Sequence, residues 1–262
     1  KDIIEIAKLY IQNTTIQSIF ITTNGSLPDR VESFVKEITK FNKDIEIGIQ
    51  ISIDDFPEKH NKVRKIPDLF KSCLDTYFRV KSFGSNITSS ASITVTQENC
   101  KNIENIFNYM FYDCKIDSIK GILVRDEGVY KTPEKERKKI FEAYTWLVDK
   151  ITEFTEKGLM KNHNKDSLQG KLHNAKDKIS YGLVKKMYLE PHYISPCHAG
   201  SLFGVITASG LVYPCEILDD KLLGDLRKNN MNFKEIWENK ESIEAKKFIK
   251  KSKCNCTYEC AL

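Results

Sequence analysis

From Ile45 to Asp54 the chain alternates without a break. Ile45, Ile47, Ile49, Ile51 and Ile53 fall on one face of a strand, and Glu46, Gly48, Gln50, Ser52 and Asp54 on the other. Such a strand buries one face and turns the other toward water or a polar chamber. Helical patterns flank it. Before it, "SIFITTNG" is a short apolar run that ends in a polar turn, and Val31, Phe34, Val35, Ile38 and Phe41 then form a helical stripe behind Pro28. After it, Leu69, Phe70, Cys73, Leu74, Tyr77 and Phe78 form a second stripe, with Gly84 as its expected stop. "SSASITVTQ" reads as a third strand, with Ser90, Ser92, Thr94 and Thr96 on one face. A third helix carries Ile103, Ile106, Phe107, Met110, Phe111 and Cys114. "SIKGILVRDEG" is a fourth strand, and a long helix runs from Thr132 and Pro133 through Ile140, Tyr144, Leu147, Val148, Ile151 and Phe154.

Strand alternating with helix is the pattern of a parallel sheet. Parallel strands covered on both faces read as nearly continuous apolar runs. Here one face is small and polar, which suits a half-open barrel with a wet lumen rather than a packed one. An antiparallel sheet with a solvated face is the competing reading, and the intervening helices argue against it. Ligands of parallel α/β folds collect at the C-terminal strand ends. Those ends are "TTNG", "SIDD", "TVTQEN" and "VRDEG".

The length of 262 residues allows one large domain and a smaller one. The expected division is an α/β part over 1–155, a polar, mostly helical connector over 156–190 and a cysteine-rich part over 191–262. His163, His173 and His192 are scattered along or just past the connector without a second ligand at useful spacing. Net charge is only +5, with no basic–aromatic stripe, which argues against nucleic acid as a partner. No apolar run is long enough to span a membrane. Eight cysteines without a secretion signal point to the cytoplasm, and to metal rather than disulfides.

The late cysteines carry the sharpest signal. "FGVIT" and "LVYP" flank Ala208-Ser209-Gly210 and read as a hairpin, with Cys197 before it and Cys215 at its end. A short helix with Phe233, Ile236 and Trp237 follows. A second, with Ile243, Phe248 and Ile249, leads to "CNCTYEC", which holds Cys254, Cys256 and Cys260. Four thiolates suit a tetrahedral zinc or an iron–sulfur cluster. No CxxC pair of the zinc-ribbon kind occurs, so the pattern leans toward iron–sulfur. Cys73 and Cys114 lie on apolar stripes and read as core, and Cys100 as an ordinary first-turn residue.

These residues resemble the radical S-adenosylmethionine (SAM) enzymes that end in a SPASM or twitch auxiliary-cluster domain. "IFITTNG" is similar to the family's third barrel strand. "QISIDDFPEKHNKVR" is similar to its fourth strand and following loop, SxDG…HD..R. Cys197, Gly210 and Cys215 fit its CX(9–15)GX4C motif, and "CNCTYEC" its terminal ligand loop. The resemblance implies a partial (β/α)6 TIM-like barrel lacking its first strands, followed by a small α+β cysteine-rich domain. It implies Thr23 and Asn24 near the methionine moiety of SAM, Ser52 and Asp54 near the ribose, and Arg64 near the carboxylate. It also implies an auxiliary [4Fe–4S] cluster on four of Cys197, Cys215, Cys254, Cys256 and Cys260. Asp55 stands where the family has Gly, and His60-Asn61 where it has His-Asp.

The family's CxxxCxxC and Gly-Gly-Glu-Pro-type motifs do not occur in this sequence, and Lys1 to Asn13 reads as the helix after the second strand. The expectation is a chain that begins after the first two βα units and does not cleave SAM by itself. The implied activity of the complete enzyme is that of a radical SAM oxidoreductase. A reduced [4Fe–4S] cluster splits SAM, and the 5′-deoxyadenosyl radical takes hydrogen from a peptide or small-molecule substrate. The implied reductant is a flavodoxin or ferredoxin. No catalytic residue is assigned, and Glu216 reads first as a structural carboxylate at the hairpin end. The competing reading is a zinc-stabilised α/β binding module without catalysis.

Overall fold

The structure is a computed structural model that describes residues 2–125, 131–161 and 168–258. It divides into two compact units, one of Lys1–Val124 with Pro133–Lys176 and one of Arg125–Thr132 with Asp177–Leu262.

The first unit opens with α1 (Ile3–Asn13), followed by β1 (Ser18–Thr23), α2 (Pro28–Phe41), β2 (Glu46–Ser52), α3 (Pro57–Arg64), α4 (Leu69–Lys81) and β3 (Ile87–Val95). It continues through α5 (Ile103–Asn108), β4 (Ile119–Leu123) and α6 (Glu134–Glu156). The strands form one parallel sheet in the order β1-β2-β3-β4. This is the parallel sheet that the strand–helix alternation implies.

Register explains the two faces. Ile47, Ile49 and Ile51 stand between Ile19, Ile21 and Thr23 of β1 and Ile87, Ser89 and Ala91 of β3. The five alternating isoleucines are all at most 2% exposed. Each such burial contributes about 1.5–3 kcal/mol. Phe34, Val35 and Ile38 of α2 and Cys73, Tyr77 and Val80 of α4 are buried as well, as are Leu147, Val148 and Ile151 of α6. Two aromatic members of the stripes do not join this core: Phe41 and Phe78 stay exposed. Phe41 closes the last turn of α2, where Lys8 stands over its ring at 5.8 Å.

On the other face, Phe20, Gly48 and Thr88 lie in register, then Thr22, Gln50 and Ser90, then Ser52 and Ser92. Gln50 and Ser52 are half-buried, whereas Ser90 and Ser92 are buried. Phe20 is an apolar exception on this face. Gly48 makes room for its ring, because a Cβ there would come within 2.6 Å of Phe20 Cδ2.

Two elements differ from expectation. The stretch after Asp54 is α3, not a loop. Pro57 starts it, with φ already suited to a helix, and Lys65 ends it in the left-handed region at φ 55°. The third helix does not stay α-helical: after Asn108 it widens into a π-helical turn over Tyr109–Asp113.

The second unit includes a small antiparallel sheet, β5 (Val205–Ile206), β6 (Leu211–Tyr213) and β7 (Gly224–Asp225), and the helices α8 (Phe233–Glu238) and α9 (Lys240–Lys251). Helix α7 (Leu168–Leu189) precedes them in the chain. The expected hairpin pairs Val205 with Tyr213 and Ile206 with Val212. Its turn needs Gly210, whose φ of +92° is a conformation L side chains rarely adopt. Val212, Leu223, Leu226, Ile236 and Ala245 form its core, with Trp237 packed against them. Asn232 and Asn239 cap α8 and α9 by accepting from Glu235 N–H and Ser242 N–H. Strand β7 is too short to register in the sequence. It is held because Gly224 lets Ile236 pack against its backbone.

Candidate functional site

The first cluster of interest lies at the C-terminal ends of β1, β2 and β3. Asp54, two residues past β2, is held at both oxygens: Oδ1 accepts from Thr94 N–H at 3.0 Å, and Oδ2 accepts from the Arg64 guanidinium. Arg64 closes α3, so the helix exists in part to bring this cation back over Asp54. Asp54 and Arg64, singled out separately in the sequence, are thus brought together as an ion pair.

Thr23 and Asn24 are occupied by their turn. Thr23 Oγ1 accepts from Gly25 N–H at 3.1 Å, and Asn24 Oδ1 accepts from Ser26 N–H and Ser26 Oγ. Gly25 has φ +70°, and a Cβ there would come within 3.0 Å of Cys73. The Ser52 side chain is half-buried on the polar face.

Sequence reasoning missed the residues that hold this cluster in place. Asn99, 2% exposed, donates to Asp54 C=O and Thr94 C=O, both at 2.8 Å, and accepts from Thr96 N–H at 2.8 Å. It ties the ends of β2 and β3 with one side chain. Its side-chain oxygen bonds backward to Thr96, three residues earlier, a pattern no turn motif in the sequence marks. Asn61 Oδ1 caps the start of α4 at Phe70 N–H, and buried Asp55 pairs with Lys59 at 2.7 Å.

His60, 1% exposed, accepts from Asp54 N–H at Nδ1 (3.3 Å), and its Nε2 is 3.9 Å from Cys73 Sγ. Burial lowers its pKa from the ordinary histidine value; Asp54 and Asp55 oppose this, and Arg64 reinforces it. Cys73 donates its thiol proton to Asn24 C=O at 3.1 Å, and burial pushes its pKa up to about 12. A thiol held neutral in this way is a packing residue. Cys100 is buried too, whereas Cys114 is only half-buried, less enclosed than its place on the stripe suggests.

The second cluster is the late cysteines. Cys197, Cys215, Cys254 and Cys256 form no disulfide. Cys215 packs with Ala199 and Ile249, and Cys197 and Cys254 lie against that same group. Cys197 and Cys254 stand close enough to shift each other's pKa. Interaction with Cys254 lowers the Cys197 pKa to about 6, and burial opposes it. The Cys254 thiol is pushed up in turn by its interaction with Cys197, by burial, and by the charges of Cys197, Cys256 and Cys215. Sulfurs from before the hairpin, from its end and from the terminal loop therefore act on one another. Cys197, Cys254 and Cys256 also line one small cavity with Met187 and Ile194. Cys260 lies outside the described residues.

Among the described residues, no three His, Cys, Asp or Glu side chains form a finished metal site. The donor chemistry nonetheless fits a thiolate-ligated group: four soft sulfurs, three of which line one small cavity with Met187 and Ile194.

Comparison with known proteins bears on the cysteine cluster and on the fold. The family model "SPASM: Iron-sulfur cluster-binding domain" matches residues 197–261. No curated protein sequence matches the chain. Among solved structures, His-tagged anSMEcpe with bound AdoMet aligns at 19% identity and a TM-score of 0.59, covering 92% of this chain. Native anSMEcpe with bound AdoMet and the Cp18Cys peptide aligns at 18% identity and a TM-score of 0.61, over 96% of this chain and 70% of that one. Native anSMEcpe with bound AdoMet and the Kp18Cys peptide gives 20% and 0.57, over 94% and 67%. The chain spans 60% of the length of the first of these structures. It is an α/β protein that shares the fold of these anSMEcpe structures, and its residues 197–261 match a SPASM iron–sulfur cluster-binding domain.

Proposed function

We propose that the chain serves a radical SAM oxidoreductase that abstracts hydrogen from a substrate by means of a 5′-deoxyadenosyl radical. The observation that carries this reading is the approach of Cys197 to Cys254 beside Cys215, within the matched iron–sulfur domain. That match also favours the reading over a zinc-stabilised binding module. The peptide-bound anSMEcpe structures make a peptide the favoured substrate class.

Cys197, Cys215, Cys254 and Cys256 would hold the auxiliary cluster, with Cys260 as the fifth candidate. When bound, such a group supplies a one-electron carrier whose potential is set by its surroundings. The chain's own part is to present sulfurs from separate loops to one place: Cys197 and Cys254 pack against the group that holds Cys215. At the strand ends, Asp54 and Arg64 would hold SAM. Asp54 is fixed by Thr94 N–H and can accept from ribose hydroxyls, to which Ser52 adds a hydroxyl. The Arg64 fork keeps N–H groups beyond its bond to Asp54, and these suit the methionine carboxylate. Thr23 and Asn24 lock the turn before α2, so they would offer SAM a fixed backbone edge rather than free side chains.

The test is AdoMet binding by the chain, together with product analysis of the full-length protein. Asp54→Asn and Arg64→Ala are each expected to weaken AdoMet binding about tenfold, the effect of one charge-assisted bond. The full-length protein, given AdoMet and reductant, is expected to form 5′-deoxyadenosine carrying deuterium from a labelled peptide. Unchanged AdoMet affinity in both variants, or no 5′-deoxyadenosine, would sink the proposal.

A further inference from the structure

Beside the cysteines stands a charged group that the cluster reading leaves unused. Arg125, two residues past the end of β4, belongs by its contacts to the cysteine-bearing unit. Its guanidinium stacks on the Tyr258 ring, with Cζ 4.1 Å from the ring centroid. Its Nη1 is 3.3 Å from Glu216 Oε2. Both partners sit on ligand loops: Glu216 directly follows Cys215, and Tyr258 lies two residues after Cys256. The Arg125 side chain is 31% exposed and that of Glu216 is 52% exposed, so the pair is partly shielded from water and not buried.

A guanidinium on an aromatic face is held in place by ring quadrupole and packing, not by charge alone. Arg125 is therefore fixed near the cysteine loops even if the exposed ion pair contributes little to stability. Stability is thus a weak reason for this arrangement, and its charge is the property to ask about. An iron–sulfur group on four thiolates is anionic and gains a further negative charge on reduction, so a fixed cation favours the reduced state and a fixed anion opposes it.

We propose that Arg125 and Glu216 form an opposed charge pair that sets the reduction potential of the auxiliary cluster, with Tyr258 holding the cation in place. Both are positioning residues that act on the cluster through space. The inference rests on the cluster reading above and adds a sign for each residue.

The experiment is a potentiometric titration, followed by electron paramagnetic resonance, of the anaerobically reconstituted chain and its variants. Arg125→Gln is expected to shift the reduced-to-oxidised ratio at fixed potential about tenfold toward oxidised, a fall of ~59 mV for one electron. Glu216→Gln is expected to shift it in the opposite direction, by less because it is more exposed. The double variant is expected to return close to wild type, and Arg125→Lys, which keeps the charge, to lie nearer wild type than Arg125→Gln. Iron content, measured in parallel, separates tuning from assembly, since a merely structural role would lower iron in both single variants without opposite shifts. Clustered variants whose potentials coincide with wild type, or that move in the same direction, overturn this inference alone. A wild-type chain that takes up no iron–sulfur cluster overturns the cluster reading and this inference with it.

Discussion

Asn99 offers the most direct test of how the strand-end cluster is held. Its amide makes three bonds at 2.8 Å, to Asp54 C=O, Thr94 C=O and Thr96 N–H, and it is 2% exposed. A buried neutral hydrogen bond contributes about 1 kcal/mol net, and stranding a partner costs about as much or more. Asn99→Ala therefore removes about 3 kcal/mol, since water has little access to replace the amide. For a chain of this size each kcal/mol moves Tm by about 2–4 °C, so the expected drop is ~6–12 °C. Asn99→Asp sharpens the argument. A carboxylate can still accept from Thr96 N–H, but it turns lone pairs toward two carbonyl oxygens where the amide turned hydrogens. At neutral pH it is expected to be no more stable than the alanine variant, despite its near-identical shape. Urea unfolding followed by circular dichroism reads both. A loss below about 1 kcal/mol for Asn99→Ala, or wild-type stability for Asn99→Asp, would refute the reasoning.

Three further outcomes follow from the same geometry. His60 is buried with its pKa lowered, mainly by desolvation, and the charges facing it are Asp54, Asp55 and Arg64. Above the ordinary histidine pKa of about 6.5 it is neutral in both states; below that the unfolded chain binds the proton first, so stability falls with pH. Wild-type Tm is expected to fall more steeply from about pH 7 to 5 than that of His60→Asn, and parallel profiles would contradict this. Gly204→Ala places a Cβ 2.7 Å from two Trp237 ring carbons and 3.0 Å from Tyr213 C=O, and is expected to cost about 1–3 kcal/mol and to shift Trp237 fluorescence. Ile49→Ala, at a site 1% exposed in the centre of the sheet, is expected to cost about 2–5 kcal/mol in urea unfolding.

Much of the α/β unit was legible because its physics is periodic. Ile45 to Ile53 could be placed from alternation alone, and all five are buried. The hairpin before Cys215 was legible because Gly210 marks its turn. Elements whose reasons are tertiary were not. Helix α3 has little apolar periodicity, only His60 among its residues is buried, and its last residue turns back to Asp54. Strand β7 is two residues long and exists through β6 and Ile236. At the site, Asp54 and Arg64 stood out as residue types, but their pairing depends on the length of α3. Asn99 reaches Asp54 C=O, 45 residues away, and His60 meets Asp54 N–H only because α3 folds back, and spacing does not encode such bonds.

The central claim is that the late cysteines hold an iron–sulfur cluster. Its most direct measurement is iron, acid-labile sulfide and zinc per chain after anaerobic reconstitution, in wild type, Cys254→Ala and Cys73→Ala. The account predicts about four iron and four sulfide per chain in wild type and in Cys73→Ala, with a large loss in Cys254→Ala. One zinc without sulfide in wild type, or full iron in Cys254→Ala, would contradict it.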